Sequence, residues 1–310
     1  MEKARIVFMG TPQIAATVLQ GLIDDGKNVV LVVSQPDKKI GRKQRIEFPP
    51  VKQVAVDAGI EVFQPIRVKE DYQAIIDAKA DIIITCAYGQ IVPQAVLDAP
   101  TFGCVNLHGS LLPKYRGGAP IQRAIWNGDK VSGMSLMRMV PKMDAGGVFA
   151  TKEIEITDDM NSTTLFELMG LAAKDLILEK FDEVCSKDAV FVEQDESKVV
   201  YSPVITKAEE HIDFTQDDAH ICNQIRALSE TPGAYVLVKN KKLKLLKASY
   251  KKEENVSFKE IIGMVDGKYA IGLHEGLLLV EQCQMEGKPS MKAKDFYNGQ
   301  GRNLVGQIVE

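Results

Sequence analysis

Apolar residues in this chain come first in short unbroken runs and later in alternation. Residues 4–9 are an apolar run that stops at Gly10-Thr11-Pro12. The spacing of Ile14, Val18, Leu19, Leu22 and Ile23 predicts a helix closed by Gly26, and residues 28–34 read as a second buried strand. The unit repeats. Helical patterns over 51–57, 71–78 and 93–98 alternate with extended runs at 61–63, 81–86 and 103–107. Strand–helix–strand order with continuous Val/Ile runs is the pattern of a parallel sheet covered on both faces, so residues 1–188 are expected to form an open α/β domain.

Over residues 189–206 the periodicity fades into a mixed polar stretch, read as a linker. Beyond it the pattern changes. Residues 219–229 have helical spacing, and short alternating runs follow at 234–238, 243–250, 261–265, 269–273 and 277–282, with Glu275-Gly276 as a hairpin turn. Five short strands predict a small OB-like β-barrel over 207–310, an architecture that often serves as a platform for nucleic acids.

A length of 310 residues, 45% hydrophobic and 26% charged, fits a two-domain globular protein. No apolar run reaches the roughly 18 residues of a membrane span, and the N-terminus enters a strand without signal-peptide architecture, so the cytosol is the expected location. Five scattered cysteines are expected to be free thiols, and four histidines without ligand spacing give no reason to expect a metal. The turn Gly10-Thr11-Pro12 lacks the second glycine of a dinucleotide fingerprint, which disfavours a nicotinamide enzyme. With a net charge of only −4, a nucleic acid would have to be met by local patches. Residues 38–45 carry Lys38, Lys39, Arg42, Lys43 and Arg45 with no acid, and residues 239–252 carry seven lysines with no acid.

Candidate chemistry concentrates in residues 104–109. In an extended segment, side chains two apart share a face, so Asn106 and His108 point the same way with Cα atoms about 6.6 Å apart. The carboxyl end of a parallel strand is where open α/β sheets bind ligands. Spacing alone leaves equally open that both side chains merely satisfy loop backbone. Residues 134–140 alternate into another strand, followed by the loop Pro141-Lys142-Met143-Asp144-Ala145-Gly146-Gly147. Asp144 is an ordinary turn residue unless that strand neighbours the first. In that case it could reach His108, fix its tautomer and stabilise its protonated form.

The stretch Asn106-Leu107-His108-Gly109-Ser110-Leu111-Leu112-Pro113-Lys114-Tyr115-Arg116-Gly117-Gly118-Ala119-Pro120-Ile121 resembles the signature of folate-dependent formyltransferases, and Asp144 falls where that family carries its catalytic aspartate. Within that family, Phe8–Pro12, Gln35–Lys43 and Gln224–Ala234 resemble segments of methionyl-tRNA formyltransferases. The resemblance implies a Rossmann-like catalytic domain and an OB-like tRNA-binding domain. It implies transfer of a formyl group from 10-formyltetrahydrofolate to the amino group of methionyl initiator tRNA, by a metal-free monomer. Such an amine, with a reference pKa of about 7.7–8.0 or lower, needs no strong base. Asn106 and His108 would stabilise the oxyanion, and His108, oriented by Asp144, would pass a proton to the leaving nitrogen. Ser110, Leu111, Leu112 and Pro113 would line the folate, with backbone near 87–92 flanking its pterin. Arg42 and Lys43 would contact the tRNA acceptor arm, and the lysines of 239–252 its backbone further out. The sequence departs from the family pattern in two places. Gly147 stands where relatives often have an acid, and Gln44 and Arg45 interrupt the usual glycine and paired lysines of the basic loop. If that outer acid is dispensable, Gly147→Asp should be tolerated.

Overall fold

The computed structural model describes residues 3–40 and 45–310. In chain order the elements are β1 (Arg5–Gly10), α1 (Gln13–Asp24), β2 (Asn28–Val33), β3 (Lys38–Ile40), β4 (Arg45–Glu47), α2 (Pro50–Asp57), β5 (Val62–Phe63), α3 (Gln73–Asp77), β6 (Ile82–Cys86), α4 (Gln94–Leu97), β7 (Cys104–His108), α5 (Pro120–Trp126), β8 (Val131–Arg138), β9 (Val148–Glu155) and α6 (Ser162–Val184). There follow α7 (Asp218–Leu228), β10 (Ala234–Val238), β11 (Lys241–Lys252), β12 (Ile261–Val265), β13 (Lys268–Gly272), β14 (Gly276–Met285), β15 (Met291–Lys292) and α8 (Ala293–Gly299). The chain divides into two compact units. One comprises Met1–Gly118, Val131–Glu155 and Phe166–Ser202; the other comprises Ala119–Lys130, Ile156–Leu165 and Pro203–Glu310.

The first unit is built on a seven-stranded sheet in the order β5-β2-β1-β6-β7-β8-β9. Strands β5 to β7 in that order run parallel, while β8 and β9 turn antiparallel. The central strands are the most apolar: Ile6–Met9 and Ile82–Ile84 are almost wholly buried because helices cover both faces. The order reverses at β1, with β2 on one side and β6 on the other. The crevice at the carboxyl ends of β1, β6 and β7 is therefore the ligand-binding position of this Rossmann-like architecture. The expected loop after β2 is in fact a two-stranded ribbon, β3 paired with β4, lying off the sheet. Its base is tied down by Lys52, whose ammonium donates to both carboxylate oxygens of Asp37 (2.8 and 2.7 Å) and to Gln64 Oε1 (2.8 Å). Arg42 and Lys43 lie outside the described residues.

Of residues 189–206, read from the sequence as a linker, those up to Ser202 cluster with the first unit. Val192 exchanges backbone hydrogen bonds with Val148, and Arg116 and Ser202 are joined in the same way through the Ser202 N–H.

The second unit centres on an antiparallel sheet in the order β10-β11-β14-β13-β12, with β15 beside β14. Register shifts around Lys247 let the long β11 coil with the sheet. Residues 306–310 complete the OB-like barrel. Gly306 and Val309 donate to Ile261 and Lys259 on the β12 side (2.9 and 3.0 Å), while Glu310 and Leu237 of β10 exchange two bonds (2.8 and 2.9 Å). In the same unit the indole of Trp126 donates to Nε2 of His220 on α7 at 2.8 Å. Among the described residues, no helix is long and apolar enough to cross a membrane.

Candidate active site

Strand β7 has parallel β6 on one side and antiparallel β8 on the other, so each of its residues has a defined neighbour. Asn106 lies opposite Thr85 and Met137, and His108 lies opposite Ser135. The buried Thr85 hydroxyl is 2.7 Å from Asn106 Oδ1. A hydroxyl donating there holds the carbonyl end of the amide against β6, and among the described residues its N–H₂ end has no acceptor.

The ring of His108 is only 6% exposed. Its Nε2 lies 2.9 Å from the Tyr115 carbonyl, which can only accept, so Nε2 carries a proton. Asp144 is the expected neighbour, because β8 delivers the 141–147 loop beside β7. Its Oδ1 is 3.6 Å from Nδ1, within ion-pair range but beyond a hydrogen bond. The tautomer is thus set by Tyr115 rather than by Asp144. With Nε2 protonated, a neutral ring turns its Nδ1 lone pair toward a carboxylate. The second carboxylate oxygen of Asp144 accepts the Gly117 N–H at 2.9 Å.

The four residues expected to line a folate divide in two. Ser110 is fully buried and its polar groups are engaged: its hydroxyl donates to Lys114 O (2.6 Å), its N–H to His108 O (2.9 Å), and its carbonyl accepts from Ser135 (2.6 Å). It braces the turn. Leu111, Leu112 and Pro113 are only half-buried and form an apolar rim. In the neighbouring 87–92 loop, Ala87 and Gly89 have positive φ (47° and 88°), and the Tyr88 carbonyl is held by Thr11 Oγ1 and Gln35 Nε2, both at 3.1 Å. Burial pushes the Cys86 thiol up to about 12, so the cysteine at the end of β6 stays protonated and is no nucleophile. Among the described residues no cluster of His, Cys, Asp and Glu could hold a metal.

Gly147 does not match the expectation that an acid would be tolerated there. A Cβ at this buried position would sit 2.8 Å from Phe191 Cβ and 3.2 Å from that residue's backbone carbon. Phe191 occupies the space.

Sequence reasoning also missed Thr85 and Gln194. Threonine in an apolar strand carries no distinguishing signal. Gln194 was hidden in a polar stretch, where a side chain tied to backbone carbonyls looks like any solvated amide.

The lysines of β11 and its hairpin prove less available than their number suggests. Lys247 pairs with Glu281 (2.9 Å), Lys251 with Asp266 (2.8 Å), Lys244 bonds the Pro232 carbonyl (2.5 Å), and Lys242 lies over the Tyr235 ring. Lys239, Lys241 and Lys252 are exposed, with no ion pair among the described residues.

Residues 4–179 match the formyl transferase family and residues 204–301 match its C-terminal domain, so the fold is that of a formyl transferase. The chain is 42% identical over 304 residues to the methionyl-tRNA formyltransferase of Lactobacillus delbrueckii subsp. bulgaricus, covering 97% of this chain and 96% of the relative. It is 41% identical over 307 residues to that of Malacoplasma penetrans, covering 99% and 96%. It belongs to the methionyl-tRNA formyltransferase family. Its fold also matches HypX from Aquifex aeolicus, solved in complex with tetrahydrofolic acid (TM-score 0.68, 19% identity, 98% of this chain and 48% of that one).

Proposed function

We propose that this enzyme moves the formyl group of 10-formyltetrahydrofolate onto the α-amino group of methionyl initiator tRNA, over Asn106, His108 and Asp144. One observation carries the assignment: among the described residues Asn106 Nδ2 has no hydrogen-bond partner, and it stands beside the His108–Asp144 pair at the carboxyl end of β7. As the amine attacks the formyl carbon, negative charge builds on the formyl oxygen, and Asn106 Nδ2 is the donor available to meet it. His108 relays the proton that the attacking amine sheds to the departing N10 of the folate, exchanging its Tyr115 carbonyl contact for the substrate, with Asp144 Oδ1 facing Nδ1 at 3.6 Å. Leu111, Leu112 and Pro113 offer an apolar wall to the folate, while Arg42, Lys43, Lys239, Lys241 and Lys252 supply cations for the tRNA backbone. The reading includes a monomer acting in the cytosol, and sedimentation would check its oligomeric state.

Purified protein and 10-formyltetrahydrofolate are incubated with charged initiator tRNA and, separately, with amino-sugar nucleotides. The formylated product is identified by mass. Formyl-methionyl-tRNA is expected as product, and Asn106→Ala or His108→Ala should lower kcat by at least ~10²-fold. A formylated amino sugar with untouched tRNA would overturn the substrate, and near-normal turnover of either variant would overturn the site.

A further inference from the structure

We infer that Gln194 is a positioning residue for the reaction, holding the 141–147 loop in the shape that presents Asp144 to His108. The inference rests on the role proposed for Asp144.

Asp144 has φ of 51°, in the left-handed region that is uncommon for any residue but glycine, although aspartate enters it more readily than most. A backbone in that state must be held by its surroundings. Gln194 Nε2 donates one hydrogen to the Asp144 carbonyl at 2.8 Å and the other to the Gly146 carbonyl at 2.7 Å. Its Oε1 accepts from Nε of Arg116 at 3.0 Å. The two hydrogens of one amide thus fix the carbonyls on either side of Ala145.

The clamp is itself anchored. Arg116 is 1% exposed, and its Nη2 meets Glu196 Oε1 at 2.9 Å, while Glu196 Oε2 receives Lys142 Nζ at 3.1 Å. The loop is therefore gripped at 142, 144 and 146 by two side chains of the 194–196 segment. Gly117, next to Arg116, takes the Asp144 carboxylate from the other side. Backbone and side chain of Asp144 are held by one connected set of bonds, which leaves Oδ1 facing His108.

The chemistry calls for an amide. Glutamate would turn lone pairs toward two carbonyls, and methionine would leave both carbonyls without a donor. Losing the clamp should move Asp144 without removing it. A displacement near 1 Å at a catalytic group costs on the order of 10²-fold in rate. Gln194→Met should therefore lower kcat by about 10- to 100-fold, with KM for folate and for charged tRNA within about twofold of the parent.

The test compares the parent, Gln194→Met, Asp144→Asn and the double variant by steady-state formylation, each first checked for a cooperative thermal transition. Gln194→Asn, whose shorter arm draws the donors back, replaces Gln194→Met if that variant does not fold. A residue acting through Asp144 loses its effect once Asp144 is replaced, so Gln194→Met should cost almost nothing further in the Asp144→Asn background. Equal losses in both backgrounds, or parent-like kcat in the single variant, would overturn the inference while leaving the site in place. Parent-like turnover of Asp144→Asn would instead overturn the role of Asp144 itself.

Discussion

The fit of Phe191 against Gly147 gives a measurable expectation for substitutions at that position. Alanine adds one carbon, which must lie 2.8 Å from Phe191 Cβ, 3.2 Å from its carbonyl carbon and 3.3 Å from its carbonyl oxygen. Normal carbon–carbon contacts lie near 3.5–4.0 Å, and the closest obstacle is a Cβ attached to backbone, which cannot swing aside. The segment around Phe191 must shift, yet Val192 is held by two backbone bonds to Val148, and the Phe191 ring packs on Phe149 and under Arg138. Overpacking of this kind costs about 1–3 kcal/mol. Aspartate adds the desolvation of a carboxylate at a buried position and should cost more. At about 2–4 °C per kcal/mol for a domain of this size, Gly147→Ala should melt several degrees below the parent, and Gly147→Asp lower still. Both should also lose turnover, because the shifted segment carries Gln194. Differential scanning calorimetry with parallel formylation rates would check this. A Gly147→Asp protein that melts with the parent and turns over normally would refute the packing argument.

Three further outcomes are expected. Burial raises the Asp37 carboxyl, but hydrogen bonds from Lys52 and Gln64 and the Lys52 charge outweigh it and hold the group below its ordinary value of 3.8. The resulting stability is complete above that value and disappears as pH falls through the lower folded one. Lys52→Met should therefore be less stable than the parent by about 1–3 kcal/mol at pH 7, and the gap in urea midpoints should narrow below pH 4. His220→Phe removes the acceptor of the indole N–H of Trp126, which is 8% exposed. A loss of about 1–3 kcal/mol and altered emission from the chain's only tryptophan are expected, and unchanged fluorescence would count against the bond. Replacing Arg42 and Lys43 by alanine should raise KM for charged tRNA and leave folate affinity alone. It should also flatten the slope of log affinity on log salt by about 0.7–0.9 per phosphate contact removed, and an unchanged slope would reduce the ribbon to a solvated surface feature.

The sequence was most informative where burial is dense and local. Strands β1, β2, β6 and β7, and β10 to β14, lie within about three residues of the extended runs that announce them, because continuous apolar runs or strict alternation leave few alternatives. The β3–β4 ribbon escaped because its described side chains, Lys38, Ile46 and Glu47, are exposed and impose no period; Ile46 is 65% exposed. Helix α6 does bury Leu165, Met169, Ala172, Ala173, Leu176, Ile177 and Phe181 at helical spacing, but the apolar Phe166, Leu168, Leu171 and Leu178 lie off that stripe and blur it. In the site, strand parity placed Asn106 with His108, and the neighbouring β8 was a condition that could be stated in advance. The partner of His108 Nε2 could not be read, because any residue at 115 supplies the same carbonyl. Nor could the occupancy of the space at Gly147, which depends on a residue far along the chain folding back.

Closure of the barrel by residues 306–310 bears on how the protein is made. His211 and Glu310, 99 residues apart, meet through the Glu310 carbonyl, which also receives the Leu237 N–H. Residues 210–212 pair with Tyr235 early in synthesis, but the Leu237 end of β10 and the outer edge of β12 stay open until residues 306–310 emerge from the ribosome. Closing such distant contacts is slow, and open edges invite pairing with other chains. The second unit therefore depends on residues 306–310 for pairing that strands made much earlier cannot complete. A chain cut before residue 306 would leave the outer edge of β12 and the Leu237 end of β10 as adhesive surfaces.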